Sequence, residues 1–239
     1  MTELPLSGQA AVVTGASRGI GQAIALRLLE LGAEVATIQR GDAPGLSINA
    51  DLSRAEDAAE AAADAIRRLG RPDICICNAG IIDRTPALDV SLEVIRQVFE
   101  TNVISAFAIS RAAARAFIAE RHGGSIVHIA SVLAFVGGRS VSIYAASKGA
   151  IVQLAKAQSN EWAAEGIRVN AIAAGYVETD MTRPLREEPS RSAEISARIP
   201  IGRWAHPSDI ADAATWLCLP ESRYVTGSVL TVDGGFLAR

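Results

Sequence analysis

Apolar residues recur along the chain with two alternating periods. Ala10 to Val13 is a short apolar run that breaks at Thr14 and Gly15, and beyond Gly19 the residues Ile24, Leu28 and Leu31 return at helical spacing. This predicts strand, glycine turn, helix. Glu34 to Ile38 predicts a second strand and Leu46 to Asn49 a short third one closed by Asp51. A helix from about Arg54 to Leu69 then leads to an apolar strand at Ile74 to Cys77. The next helix is predicted over about Leu92 to Glu120, stopped by His122, Gly123 and Gly124 ahead of a strand at Ser125 to Ile129. A helix carrying Ile151, Leu154, Ala155 and Trp162 ends near Gly166. Arg168 to Ala173 is a strand, Pro207 to Leu219 a helix and Ser228 to Val232 the last strand.

Strands separated by helices of this length require right-handed parallel crossovers, so the expected architecture is α/β: a Rossmann-like, doubly wound parallel sheet in three α/β/α layers. No linker, repeat or low-complexity segment divides the chain, and residues 1–239 are expected to form a single dinucleotide-binding and catalytic domain. The interval from Tyr176 to His206 stands apart, being rich in Arg and Glu and interrupted by Pro184, Pro189 and Pro200. It follows the C-terminal end of a strand, where open α/β sheets bind ligands, and is expected to be an insertion at about 176–206 that covers a substrate.

Composition supports a large core: hydrophobic residues make up 49% of the 239, enough to bury strands on both faces under closely packed helices. Cys75, Cys77 and Cys218 are an odd number and read as core thiols. The net charge of −3, with acids and bases mixed along the chain, leaves no footprint for nucleic acid or an anionic membrane and favours a small-molecule substrate. Met1 to Gly8 is too short and polar for a signal peptide, and no uninterrupted apolar stretch is expected to cross a bilayer, so a cytoplasmic location is expected. His122, His128 and His206 form no metal-ligand spacing, and no catalytic metal is expected.

Chemistry concentrates at three places. Thr14 to Gly21 joins the first strand to the first helix with small residues that let backbone N–H groups approach a pyrophosphate, although an ordinary glycine-rich turn has the same look. Tyr144 and Lys148 are four residues apart, on one face at the start of a helix, where the ammonium can lower the phenol's pKa; the alternative is a surface pair. Ser131, just past the end of a strand, can converge on them, while Asn102 in its largely apolar helix is either functional or an amide satisfied in the core.

Together these residues resemble the short-chain dehydrogenase/reductase family over nearly the whole chain. The resemblance rests on Thr14 to Gly21, Asn78-Ala79-Gly80, Asn102, Ser131, Tyr144, Lys148 and the closing Val232-Asp233-Gly234-Gly235. It implies that Tyr144 is the general acid/base, that Ser131 hydrogen-bonds the substrate oxygen, and that Lys148 binds the ribose and lowers the tyrosine pKa. Asn102, by the same resemblance, holds a water in a proton relay. NAD(P)(H) contacts are implied for Gly15, Ser17, Arg18, Gly19, Ile20 and Gly21 in the turn, for Gln39, Arg40, Asp51 and Leu52 around the adenosine, and for Asn78, Ala79, Gly80, Tyr144, Lys148, Val177 and Thr179. Two positions depart from the family pattern: Cys77 replaces a second Asn, and Ala174 replaces the proline before Gly175, which is expected to loosen the turn into the substrate loop.

Gln39 and Arg40 stand where an acid would accept from the ribose 2′-hydroxyl, and with Arg18 they lean the chain toward NADP(H); NAD held through Gln39 is the alternative. Asn78 to Arg84, Arg191 to Trp204 and Asp233 to Arg239 are similar to the gluconate and deoxygluconate dehydrogenases of this family. That likeness implies a sugar-acid substrate with Arg84 near its carboxylate, Arg139 being a second candidate and an ordinary surface arginine the competing reading. A 3-oxoacyl thioester reductase and a catalytically silent dinucleotide-binding sensor or structural subunit stand as the other readings. The family resemblance also implies a homotetramer in which the apolar ending, Phe236 and Leu237 included, is buried against a neighbour.

Overall fold

The computed structural model describes residues 4–239. Seven strands form one parallel sheet: β1 (Ala10–Thr14), β2 (Glu34–Gln39), β3 (Leu46–Asn49), β4 (Ile74–Cys77), β5 (Gly124–Ser131), β6 (Ile167–Ala174) and β7 (Val229–Val232). They lie in the order β3-β2-β1-β4-β5-β6-β7. The chain winds one way from β1 to β3 and the other from β4 to β7, so the switch point falls between β1 and β4, and ligands bind at the strand ends there. β1 and β4 are buried at every position. That is why they read as unbroken apolar runs without alternation.

Helices cover both faces. One core packs α2 (Ala55–Leu69), α4 (Ser105–Glu120) and α5 (Ser142–Trp162) on the sheet around Phe117, Ile126 and Val169. The other packs α1 (Gly19–Glu30) and α8 (Pro207–Trp216) around Ile24, Leu28 and Ile210. Elements match the sequence pattern to within a few residues at most ends. The predicted helix over Leu92 to Glu120 is instead three pieces: α3 (Leu92–Phe99), a π-turn at Glu100–Ile104 and α4. This run is, by length and composition, apolar enough to cross a bilayer, contrary to expectation, and half of its most apolar window is buried inside the fold. Its residues meet α2, α5, β4 and β5.

The insertion is ordered, with a 3-10 turn at Asp180–Thr182, then α6 (Arg183–Glu187) and α7 (Pro189–Ala197). Pro184 and Pro189, which read as interruptions, sit in the first turn of these helices, where their fixed φ and missing N–H cost nothing. Ile195, Ile199, Trp204, Phe236 and Val132 bury one another beneath this cap. Phe236, expected against a neighbouring subunit, is thus buried at 3% exposure in its own chain, with Tyr176 edge-on at 5.3 Å. Nor is the turn after Ala174 loosened: Gly175 N–H donates to Val232 O at 2.9 Å.

Candidate active site

The turn from β1 to α1 is shaped by glycines. Gly15 and Gly19 hold φ of 67° and 58°, in the left-handed region. A Cβ on Gly21 would fall 2.2 Å from Gly15 O and 2.4 Å from Asn78 Nδ2. Asn78, at the end of β4, ties the turn to the sheet by donating from Nδ2 to Thr14 O and Gly15 O, at 3.0 and 3.1 Å. Thr14 Oγ1 accepts from the N–H groups of Asn78 and Ala79. No side chain caps α1 at Arg18, so its first N–H groups are left for an anion. Thr179 packs on this turn, its Cγ2 3.2 Å from where a Cβ on Gly19 would be. Ser17 and Arg18 are exposed on the turn, and Arg18 pairs with Asp180 of the cap at 3.5 Å.

At the end of β2, Gln39 turns inward: its Nε2 donates to Ser47 Oγ at 3.0 Å and Gly41 O at 3.3 Å. Among the described residues its Oε1 is buried without a partner. An unpaired acceptor at this place suits a ribose hydroxyl, which can donate to it. Arg40 beside it is exposed. Asp51 is held below the ordinary carboxylate range first by the Ser53 N–H and hydroxyl, then by Arg40 and Arg54. Leu52 is buried and its carbonyl accepts from Ser105 Oγ. A tight glycine cradle, an uncapped helix start and this acceptor together fit a dinucleotide.

Beyond the turn, Ser131 ends β5 and Tyr144 stands in the first turn of α5, both 8% exposed. Lys148, one turn on, is buried and its Nζ donates to Ile129 O at 2.7 Å. Asn102 occupies the π-turn, where its Oδ1 accepts from Ile81 N–H at 2.8 Å and its Nδ2 donates to Ile81 O and Ser147 Oγ, each at 2.9 Å. Ser147 Oγ in turn donates to the backbone carbonyl Tyr144 O at 2.7 Å. Gly80 completes the cluster: a Cβ there would lie 3.2 Å from Asn102 Oδ1 and 3.5 Å from Lys148 Nζ. Ser147 escaped the sequence reading, although its place three residues after Tyr144 puts it on the same helix face.

The electrostatics depart from the expected lowering of the phenol. Burial pushes the Tyr144 pKa up to about 12, and the groups that pull it down are the Ser131 hydroxyl and the Arg84 guanidinium. Lys148 is itself driven down to about 8 by burial. Its ammonium is turned to the Ile129 carbonyl and lies 5.7 Å from the centre of the Tyr144 ring.

Tyr144 and Ser131 open onto a cavity of about 470 Å³. Arg84 and Arg139 line it, Arg84 half-buried and Arg139 exposed. Arg84 Nη2 donates to Met181 O of the cap at 3.2 Å. The cap adds Leu185, Glu188, Arg191 and Glu194; the last two lie in the Arg191 to Trp204 segment that carried the sugar-acid likeness, but none was given a role, because an Arg- and Glu-rich stretch does not tell which of its charges face inward. Val177, from the strand end that leads into the cap, is buried and pairs with Ala205.

A protein family described as enoyl-(acyl carrier protein) reductase matches residues 15–237. The 2-dehydro-3-deoxy-D-gluconate 5-dehydrogenase of Dickeya dadantii is 41% identical, over 98% of this chain and 97% of its own length. Among solved structures, a protein of Beutenbergia cavernae assigned as an NAD(P)-dependent gluconate 5-dehydrogenase, with NADP bound at low occupancy, superposes with a TM-score of 0.95. It is 44% identical, with both chains fully covered. The gluconate 5-dehydrogenase of Burkholderia cenocepacia, in complex with NADP and tartrate, superposes with a TM-score of 0.93 at 31% identity, over 99% of this chain and 98% of its own.

Proposed function

The chain belongs to the short-chain dehydrogenase/reductase family, and from that premise we propose that it interconverts a hydroxyl and a ketone on a sugar acid of the 2-dehydro-3-deoxygluconate or gluconate type, using NADP(H). It is an NAD(P)-dependent oxidoreductase. The observation that carries the substrate reading is the cavity itself: the Ser131 and Tyr144 hydroxyls share it with Arg84 and Arg139. A guanidinium fork suits a carboxylate, and fixed hydroxyls suit the carbonyl oxygen.

The N–H groups of the Gly15 to Gly21 turn would hold the pyrophosphate, Gln39 would face the adenosine ribose, and Arg40 and Arg18 would meet the 2′-phosphate. Asp51, Leu52, Asn78, Ala79, Gly80, Val177 and Thr179 would contact the rest of the cofactor. A nicotinamide held there would supply the chemistry of hydride exchange with the carbinol carbon. In the reducing direction Ser131 donates a hydrogen bond to the carbonyl oxygen and Tyr144 gives that oxygen its proton. A phenol kept protonated by burial is suited to this acid role. Lys148 carries positive charge to the ribose and the phenol once its ammonium is drawn from Ile129 O. Asn102 positions Tyr144 through Ser147, and the second lone pair of its Oδ1 is free for the relay water.

Residues 1–239 act as one catalytic domain with 176–206 as its cover, in a homotetramer. The matched family's description favours an acyl thioester as the second reading. Following nicotinamide absorbance with both cofactors over sugar acids, matching polyols and acetoacetyl thioesters separates the readings. Turnover of sugar acids with NADP(H) is expected; activity confined to thioesters would replace the substrate reading, and cofactor binding with no turnover would make the chain a silent binder. Arg40→Asp should move the kcat/KM ratio of the two cofactors toward NAD(H) at least tenfold, roughly one charge-assisted contact. An unmoved ratio would mean that Arg40 faces solvent.

A further inference from the structure

Within the cap, the guanidinium that opens the Arg191 to Trp204 segment stands outside the catalytic cluster and has been given no role. Arg191 stands in α7 one turn before Ile195, which is 2% exposed in the cluster beneath the cap. Residues four apart share a helix face. Arg191 therefore lies on the inward face, and it lines the cavity that Tyr144 opens onto. It pairs with Glu194 at 2.5 Å, and the side chains are 28% and 60% exposed, so the cation sits inside its anion. An i,i+3 pair of this exposure adds little to stability. Its other effect is to leave donors over: Glu194 accepts from Nη1 alone, and since both residues line the cavity, Nη2 and Nε remain for a ligand there.

The three arginines of the cavity are not equivalent. Arg84 follows the β4 end beside the glycine turn and bears on the Tyr144 phenol, whereas Arg191 is carried by the cap helix α7. Arg84 therefore stands at the reacting end, and a carboxylate several carbons from the carbinol carbon must be met farther away. We propose that Arg191, with Arg139 at the rim, forms a distal subsite that receives the carboxylate of an open-chain sugar acid at the end remote from the carbon that exchanges hydride. This rests on the sugar-acid reading above and adds to it which group reads the acid. Because α7 is part of the cap, the acid itself then helps to hold the cover over the site.

The test compares parent, Arg191→Gln and Arg191→Lys on a sugar acid and on the neutral polyol of equal carbon number, with circular dichroism as the check on folding. For Arg191→Gln the acid-to-polyol ratio of kcat/KM should fall roughly tenfold to a hundredfold, mostly through KM. Arg191→Lys, which keeps charge without the fork, should recover part of it. Should Arg191→Gln fail to fold, the lysine variant carries the test through its own loss of ratio. An unchanged ratio in both folded variants, or equal losses on acid and polyol, overturns the subsite alone. A parent that turns over no sugar acid overturns the substrate reading and the subsite with it.

Discussion

Tyr144 and Lys148 are both buried, and burial moves their pKa values apart: the phenol up to about 12, the ammonium down to about 8. The cause is common, since a low-dielectric surround disfavours whichever form is charged. Tyr144→Phe removes only the proton donor, so kcat should fall at least a hundredfold while cofactor affinity, read by fluorescence titration, changes little. Near-normal turnover would falsify the acid role. Lys148 has a folded pKa below its unfolded one of 10.5, which fixes the sign of its linkage. Below pH 8 the lysine is charged in both states, and the folded chain bears the full burial cost, on the order of 3 kcal/mol. Between about 8 and 10.5 the unfolded chain holds more protons, so stability rises with pH and the cost fades. Urea unfolding of the parent against Lys148→Met should therefore show the parent gaining on the variant across that window. A difference that stays constant from pH 7 to 10.5 would contradict a charged, buried lysine.

At the scale of elements, the π-turn and the end of α4 show local rules giving way to their surroundings. The π-turn places Asn102 so that all of its amide hydrogens are used, and π-turns inside helices often mark such sites. The helical period of Leu92 to Glu120 announced one unbroken helix, because the period is indifferent to a single widened turn. α4 ends at Arg121, in the left-handed region with φ of 54°, where glycine is the usual residue. Arg121→Gly should stabilise the fold by about 0.5–1 kcal/mol, the left-handed strain less the added entropy of glycine. Thermal unfolding of the two proteins measures it, and a lowered midpoint would mean that the arginine side chain contributes something its backbone conceals. The cap follows the reverse course: its prolines suggested broken chain, yet at the first turn of α6 and α7 they start helices.

For the whole molecule, the sheet's change of direction between β1 and β4 brings the glycine turn, Asn78 and the β5 end to one edge, and the cap closes over it through Arg84 to Met181 and Arg18 to Asp180. Exposed apolar residues also lie away from the cap. Ile104, Phe107 and Ile118 are exposed on the α4 side, and Trp216 and Tyr224 near the other edge. Two separate faces are what a tetramer with two kinds of two-fold contact needs. Light scattering at micromolar concentration should give four times the chain mass, and charged substitutions at Phe107 and Ile118 should halve it. A monodisperse parent monomer would remove the proposal.

The order of strands and helices, the glycine turn and the positions of Ser131, Tyr144 and Lys148 were legible from the chain alone. Each rests on a short-range relation: a period, a glycine with positive φ, or two side chains one helical turn apart. Tertiary structure decided the rest, because burial and distant neighbours are not local properties. It turned Gln39 inward, set the Tyr144 phenol above its ordinary pKa instead of below it, and buried Phe236 in its own chain under the cap. It also chose which of the cap's charges line the cavity: Arg191 faces inward only because Ile195, one turn later, is anchored in a cluster drawn from three separate parts of the chain.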